Sequence, residues 1–312
     1  MCAFPGFSAH SPPWLAATGC QHAAICDVAW HAFVARVAVF ASRRYNFCAD
    51  ETPWTTVICA HFGIREASEE LVGEVPPISL TTLCSGSDAP VEAIRQFLPP
   101  ALIDHRCSCD CDDASESWVL SNFDPCCFHK DVRDLLQSEV KCSLAGSHPT
   151  HGNQDAPICE SKLRDNDFWV LGAPCGGHSP SSKHRYNPGK GGFQNEKSAV
   201  YFECMDALEK YEPKAAIVET VDGAKKGSQT QMASIVIFER KLQRSKKFWW
   251  VRVECNSRWA GLPQLRKRIY WLLLNKAAGS MAQLQASKQQ LLDFFEATEL
   301  PAKNVSQLAL PA

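Results

Sequence analysis

The sequence predicts an α/β fold, a mostly parallel sheet carrying helices on both faces. Three observations lead there. Strand-like and helix-like segments alternate from Ile78 to Leu274, the pattern that crossover connections in a parallel sheet require. One segment, Glu196 to Tyr211, is strongly amphipathic, with Val200, Cys204, Ala207, Leu208 and Tyr211 on a common face. Finally, the residues just beyond the strand-like runs are Ser85 and Gly86, Asp110, Asp131, Cys175 and Glu219. A small-residue turn, carboxylates and a thiol thus fall where ligands bind in such sheets, outside the carboxyl ends of the strands.

Taken in order, residues 1–75 form an N-terminal segment of unassigned role, in which 27–40 fits a buried helix and 53–62 a strand. Regular patterning begins after Pro76 and Pro77. Residues 78–84 read as a strand, 91–98 as a helix, 105–112 as a short strand and 114–123 as a helix. Residues 131–138 follow, and the polar stretch 139–165 reads as a long loop or insert. Then come a strand at 168–172, the amphipathic helix at 196–211, a strand at 215–220, a helix at 232–243, and strands at 248–255 and 268–274. Residues 282–297 can form one more helix. A main domain over 76–280 is therefore followed by a C-terminal helix and tail over 281–312.

The 312-residue chain has a formal net charge of −2. No global basic field attracts a polyanion, so any such site is a local patch. The sixteen cysteines do not fall into C-x-x-C pairs. Cys107, Cys109 and Cys111 alternate as along a strand, whereas zinc ligands usually stand two to four residues apart, and no metal centre is expected. Reduced thiols of an intracellular protein are the better reading, with a nuclear location if the source is eukaryotic. No stretch approaches the ~20 apolar residues of a membrane span, and the N-terminus lacks the basic-then-apolar plan of a signal peptide.

Each candidate position also has a plainer meaning. Ser85 and Gly86 form a tight strand-to-helix turn, which either lets a ligand approach the backbone or is only a turn. Asp110 can accept both hydroxyls of a ribose, or be a solvated acid. Cys175 follows Pro174 and precedes Gly176 and Gly177. A buried structural cysteine is the usual fate of this residue. Against that stands the following segment, with Ser179, Lys183, His184, Arg185, Lys190 and five glycines counting Gly176. Such a loop is either a solvated surface or a phosphate-seeking flap able to close over a site.

These motifs carry a resemblance. From about Ile78 to Leu274 the chain resembles the cytosine-C5 DNA methyltransferases. TLCSGSDAP (82–90) is similar to the first, cofactor-turn motif, and SCDCD (108–112) to the second. KDV (130–132) is similar to the third, and GAPCGGHS (172–179) to the Pro-Cys-Gln segment, with Ser179 matching its serine. SAVYFECMDALEKYEPKAAIVETV (198–221) resembles the helix and strand that end in Glu-Asn-Val. GLPQLRKRIYWLL (261–273) resembles the Gln-x-Arg-x-Arg motif through Gln264, Arg266 and Arg268. The departures are Gly176 for the glutamine, Thr220 for the asparagine, Cys84 for the aromatic that stacks on adenine, and Asp88 and Ala89 for later glycines. After the arginine motif 44 residues remain, where the family usually places a target-recognition domain and two further motifs.

The resemblance implies a Rossmann-like methyltransferase sheet and S-adenosylmethionine as methyl donor. Cys84, Ser85 and Gly86 would line the cofactor, with Asp110 and Cys111 at its ribose and Asp131 and Val200 about its adenine. Cys175 would be the nucleophile and Glu219 would hydrogen-bond the base. Arg268 would contact the base carbonyl, and Arg266 would hold the cysteine loop or Glu219. Ser179, Lys183, Arg185, Lys190 and Gln264 would contact nucleic acid. DNA is the expected partner, with tRNA as the alternative substrate and a partner protein as a possible source of target recognition. A degenerate, non-catalytic module that binds nucleic acid or cofactor is the third reading.

Overall fold

A computed structural model describes residues 72–73, 76–95, 98–137, 142–144, 156–175, 177–178, 192, 196–227, 232–260 and 266–298. The strands among the described residues are β1 (Ile78–Leu83), β2 (Ile103–Cys109), β3 (Cys127–His129), β4 (Phe168–Leu171), β5 (Ala215–Val221), β6 (Phe248–Asn256) and β7 (Lys267–Asn275). They form one sheet in the order β3-β2-β1-β4-β5-β7-β6. Strands β1 to β5 run parallel, and β7 lies antiparallel to both β5 and β6. The α-helices among the described residues are α1 (Ala89–Arg95), α2 (Asp113–Asn122), α3 (Ala156–Leu163), α4 (Glu196–Tyr211), α5 (Ser234–Arg244) and α6 (Met281–Thr298). This is a Rossmann-like α/β fold. Its strand order reverses between β1 and β4, which opens a crevice at their carboxyl ends.

Alternation along the strands divides the core into two layers. On one face, Cys204, Ala207, Leu208 and Tyr211 of α4 and Phe238 and Leu242 of α5 pack on Trp169, Val218 and Trp271. On the other, Val91 and Ile94 of α1 and Leu284, Leu291 and Phe295 of α6 pack on Leu80, Ile217 and Leu272. The C-terminal helix is thus part of the sheet's own core, and its entry is fixed by the Trp249 indole N–H, which donates to the Gly279 carbonyl at 3.2 Å.

The alternating strands and helices of the sequence are found, with two differences. Strand β3 has only three residues, too few to show a period. The stretch 139–165, expected to be loop, contains helix α3. Its apolar residues gather on no single face, and Leu163 is buried in the core. Its C-terminal end is held from outside: Arg106 Nη1, projecting from β2, donates to the carbonyls of Lys162, Arg164 and Asp165 at 3.1–3.4 Å. A guanidinium satisfies carbonyls that a helix end leaves unpaired and complements its dipole. The helix expected at 27–40 and the strand at 53–62 lie outside the described residues. Among those described, no helix is long and apolar enough to cross a membrane.

Candidate active site

The sheet's hydrogen-bond ladder runs one step past the strand ends. Gly172 N–H donates to the Leu83 carbonyl at 3.1 Å, Ser85 to Cys109 at 3.3 Å, and Asp110 to His129 at 3.1 Å. The loops after β4, β1 and β2 therefore leave the sheet in register with one another. They open onto one cavity of about 730 Å³, within the range of small-molecule sites.

At one end of the cavity stand Cys84, Ser85, Gly86, Asp110, Cys111, Asp131 and Val200. The turn after β1 is tightly wound: Cys84, Gly86 and Asp88 have φ of 53°, 58° and 52°, the left-handed region that suits glycine. Asp88 adopts it where the family pattern has glycine. An Asp tolerates that conformation when its carboxyl is held locally, and here Thr82 Oγ1 donates to it at 2.5 Å and Ser108 Oγ donates to its other oxygen. Burial pushes the Asp88 carboxyl up to about 6, while the Ser108 and Thr82 hydrogen bonds pull the other way. Asp110 is oriented by two backbone donors, Gly86 N–H at 2.8 Å on Oδ2 and Asp112 N–H at 3.0 Å on Oδ1. An ionised carboxylate offers about four lone-pair sites, so two remain for a diol. Asp131 behaves differently. Both its oxygens receive Arg133, including Nε at 2.9 Å, and that guanidinium holds the carboxyl below the usual carboxylate range. An adenine amino group would compete with Arg133 for it.

Cys175, Glu219, Arg266 and Arg268 line the other end. The loop after β4 is pinned to α4: the buried Ser198 hydroxyl receives Gly177 N–H at 3.1 Å, and His178 N–H donates to the Cys175 carbonyl at 2.9 Å. Glu219 lies opposite Tyr270 and Arg268 opposite Val221 in the β5–β7 register. Two residues apart across the pair, Glu219 and Arg268 share a face, and Arg268 Nε comes within 2.6 Å of Glu219 Oε1. Tyr201 of α4 fixes the strand from behind, its hydroxyl donating to the Glu219 carbonyl at 2.9 Å. Burial, then the charge of Glu219, pushes the Cys175 thiol up; Arg268 and, more weakly, Arg266 pull it down.

All eleven expected catalytic and cofactor residues line this one cavity. Arg268, expected at the base carbonyl, is held against Glu219, because the diagonal register position falls on it. The proposed nucleic-acid contacts, Ser179, Lys183, Arg185, Lys190 and Gln264, lie outside the described residues. Arg133 was not anticipated. Its signal was its place two residues after Asp131, where a turn brings the two side chains together.

Residues 144–305, more than half of the chain, match the family model for C-5 cytosine-specific DNA methylases. The chain belongs to that family. It is 22% identical over 200 residues to the type II methyltransferase M1.BsuMI of Bacillus subtilis, across 62% of this chain and 40% of that protein. It is 25% identical over 115 residues to the type II methyltransferase M.HpaII of Haemophilus parainfluenzae, across 36% of this chain and 30% of that one. The chain thus spans less than half the length of either relative. Among solved structures it is similar to the S. pombe Dnmt2 methyltransferase, with a TM-score of 0.42, 14% identity, and coverage of 73% of this chain and 56% of that one.

The cavity's residues fit the family's cofactor at its ribose end. Asp110 has its carboxylate fixed with two acceptor sites open, and the side-chain-free Gly86 stands beside it.

Proposed function

We propose that this chain is the catalytic core of a DNA (cytosine-5)-methyltransferase, which moves a methyl group from S-adenosylmethionine to C5 of cytosine. The convergence of Cys175, Glu219 and Arg268 on the cavity that Asp110 and Gly86 also line supports this reading. Asp110 would hold the ribose of S-adenosylmethionine, and Val200 would pack near its adenine. When bound, the cofactor supplies an electrophilic methyl group on a sulfonium sulfur, which C5 of the base accepts.

The chain's own residues make C5 able to accept it. Cytosine C5 is a poor nucleophile until a thiolate adds to C6. Cys175 gives up its thiol proton to solvent, its sulfur bonds to C6, and the electrons of the C5–C6 double bond move toward N3. Glu219, protonated from solvent as the base enters, donates that proton to N3 and accepts a hydrogen bond from the exocyclic amine, which neutralises the charge. After methyl transfer the C5 proton leaves to solvent, the double bond re-forms and the sulfur departs. In the free protein burial, then the Glu219 charge, pushes the Cys175 thiol up and opposes loss of its proton. A base that engages Glu219 removes part of that opposition, so nucleophile activation is tied to substrate entry. The base must leave the duplex to reach Cys175, and Lys183, Arg185 and Lys190 would grip the neighbouring phosphates.

DNA containing 5-fluorocytosine tests the reading. Fluorine cannot leave as the C5 proton does, so the enzyme should remain bonded to the base. We expect a denaturation-resistant adduct that requires both methyl donor and Cys175. An adduct with fluorinated tRNA alone reassigns the substrate to RNA. An adduct that survives Cys175→Ser assigns the nucleophile to another cysteine. No adduct, with no binding of S-adenosylmethionine, leaves the non-catalytic module.

A further inference from the structure

Away from the cavity, three metal-ligating side chains meet at the outer edge of the sheet. Cys127 and His129 alternate on β3 and so project from one face. Cys142 comes from the segment that docks along the strand's open edge. Ser143 N–H donates to the Phe128 carbonyl at 2.8 Å, and Leu144 packs with Phe128 and Val119 around that edge. The ligand atoms of Cys127, His129 and Cys142 all lie within 4.8 Å of one another, the one such group among the described residues. Cys127 and His129 are fully buried, and Cys142 is half-buried.

We propose that Cys127, His129 and Cys142 bind a single zinc ion. Two thiolates and an imidazole are the soft donors that zinc selects. Tetrahedral zinc, with bonds of ~2.3 Å to sulfur and ~2.0 Å to nitrogen, holds its donors ~3.3–3.8 Å apart, so a side-chain adjustment of about an ångström closes the set. Charge favours it too: two thiolates neutralise the dication, and a neutral centre is buried without an unpaired ion. Binding is balanced by release of the two thiol protons. The half-exposed Cys142 provides the path of entry, and water completes the fourth position. The centre would clamp segment 142–144 to β3 and fix the His129 carbonyl, which receives the Asp110 N–H. It acts through the fold and does not depend on the reaction assigned above.

The test uses the full chain, purified with reductant and without chelator. Elemental analysis should find zinc. Cobalt added after zinc removal should give the thiolate charge-transfer and intense visible bands of a tetrahedral site, with chelation lowering the melting temperature. Loss of a second-shell partner costs a zinc site 10–100-fold in affinity, so Cys142→Ser, which removes a direct ligand, should weaken cobalt binding by ~100-fold or more. Cys111→Ser, at an exposed thiol outside the group, should leave it unchanged. The proposal is overturned by the absence of zinc and of a tetrahedral cobalt spectrum, by cobalt binding that ignores Cys142→Ser, by equal loss in Cys111→Ser, or by peptide mapping that finds Cys127 and Cys142 joined as a disulfide.

Discussion

The two ends of the cavity are built by different means. At the Asp110 end, geometry comes from the backbone: left-handed turns at Cys84, Gly86 and Asp88, and main-chain N–H groups of Gly86 and Asp112 aimed at Asp110. At the thiol end it comes from side-chain charge: Glu219 against Arg268, with the state of Cys175 set by the balance between them. A backbone cradle is fixed once the chain folds and binds the same group every time. A charge balance can be tipped by an incoming molecule. Under the function proposed above, the difference separates a permanent binding end from an end that a substrate switches on.

Four measurements press on this contrast. The largest effect is expected from Glu219→Gln, which should slow adduct formation ~10²–10³-fold, the usual cost of one such electrostatic contact, with S-adenosylmethionine affinity unchanged in calorimetry. A parallel loss of cofactor affinity would mean that the two ends are not independent. Next is Asp88, the buried acid under the cofactor turn. Its folded value of about 6 lies above the ordinary 3.8, so the folded state binds the extra proton. Stability from this group is full below pH 3.8 and is lost as pH rises to about 6, a change of about 3 kcal/mol. Asp88→Asn, which keeps the shape and tolerates the left-handed turn, should flatten that slope in urea denaturation across the same range. Asp110→Ala should weaken cofactor binding by ~1.5–3 kcal/mol, the range for hydrogen bonds to a charged group. It should leave the alkylation rate of Cys175 unaltered. The smallest effect is on the thiol itself. Peptide-resolved alkylation of Cys175 against pH should show a midpoint above the ordinary thiol value, moved down by Glu219→Gln and up by Arg268→Gln. Movement in the same direction for both would break the charge-balance account.

The fold was legible wherever an element carried its own period. Strands β1, β4, β5, β6 and β7 and helix α4 announce themselves through runs of buried residues. Strand β3 and helix α3 do not, because each is stabilised from a distance: β3 by pairing with Cys107 and Cys109 of β2, and α3 by the Arg106 guanidinium over its last carbonyls. At the site, strand ends pointed to Asp110, Cys175 and Glu219, since a parallel sheet gathers its carboxyl ends. That Arg268 meets Glu219 was beyond the sequence, because only the β5–β7 register places the two on one diagonal. Likewise, nothing local joins Cys142 to Cys127 and His129 until the chain returns along the sheet edge.

The ladder that steps from Gly172 to Leu83, Ser85 to Cys109 and Asp110 to His129 bears on how a chain of this kind can change its length over generations. A residue inserted between a strand and its ladder step would turn the next side chain to the opposite face and break the bond to the neighbouring loop. A residue inserted after the step meets no such constraint. Growth and loss of sequence are thus confined to the far side of each first step, beyond Cys175 or between Leu144 and α3. The sequence is free to diversify there while the spacing of Gly86, Asp110 and Gly172 stays locked to the sheet.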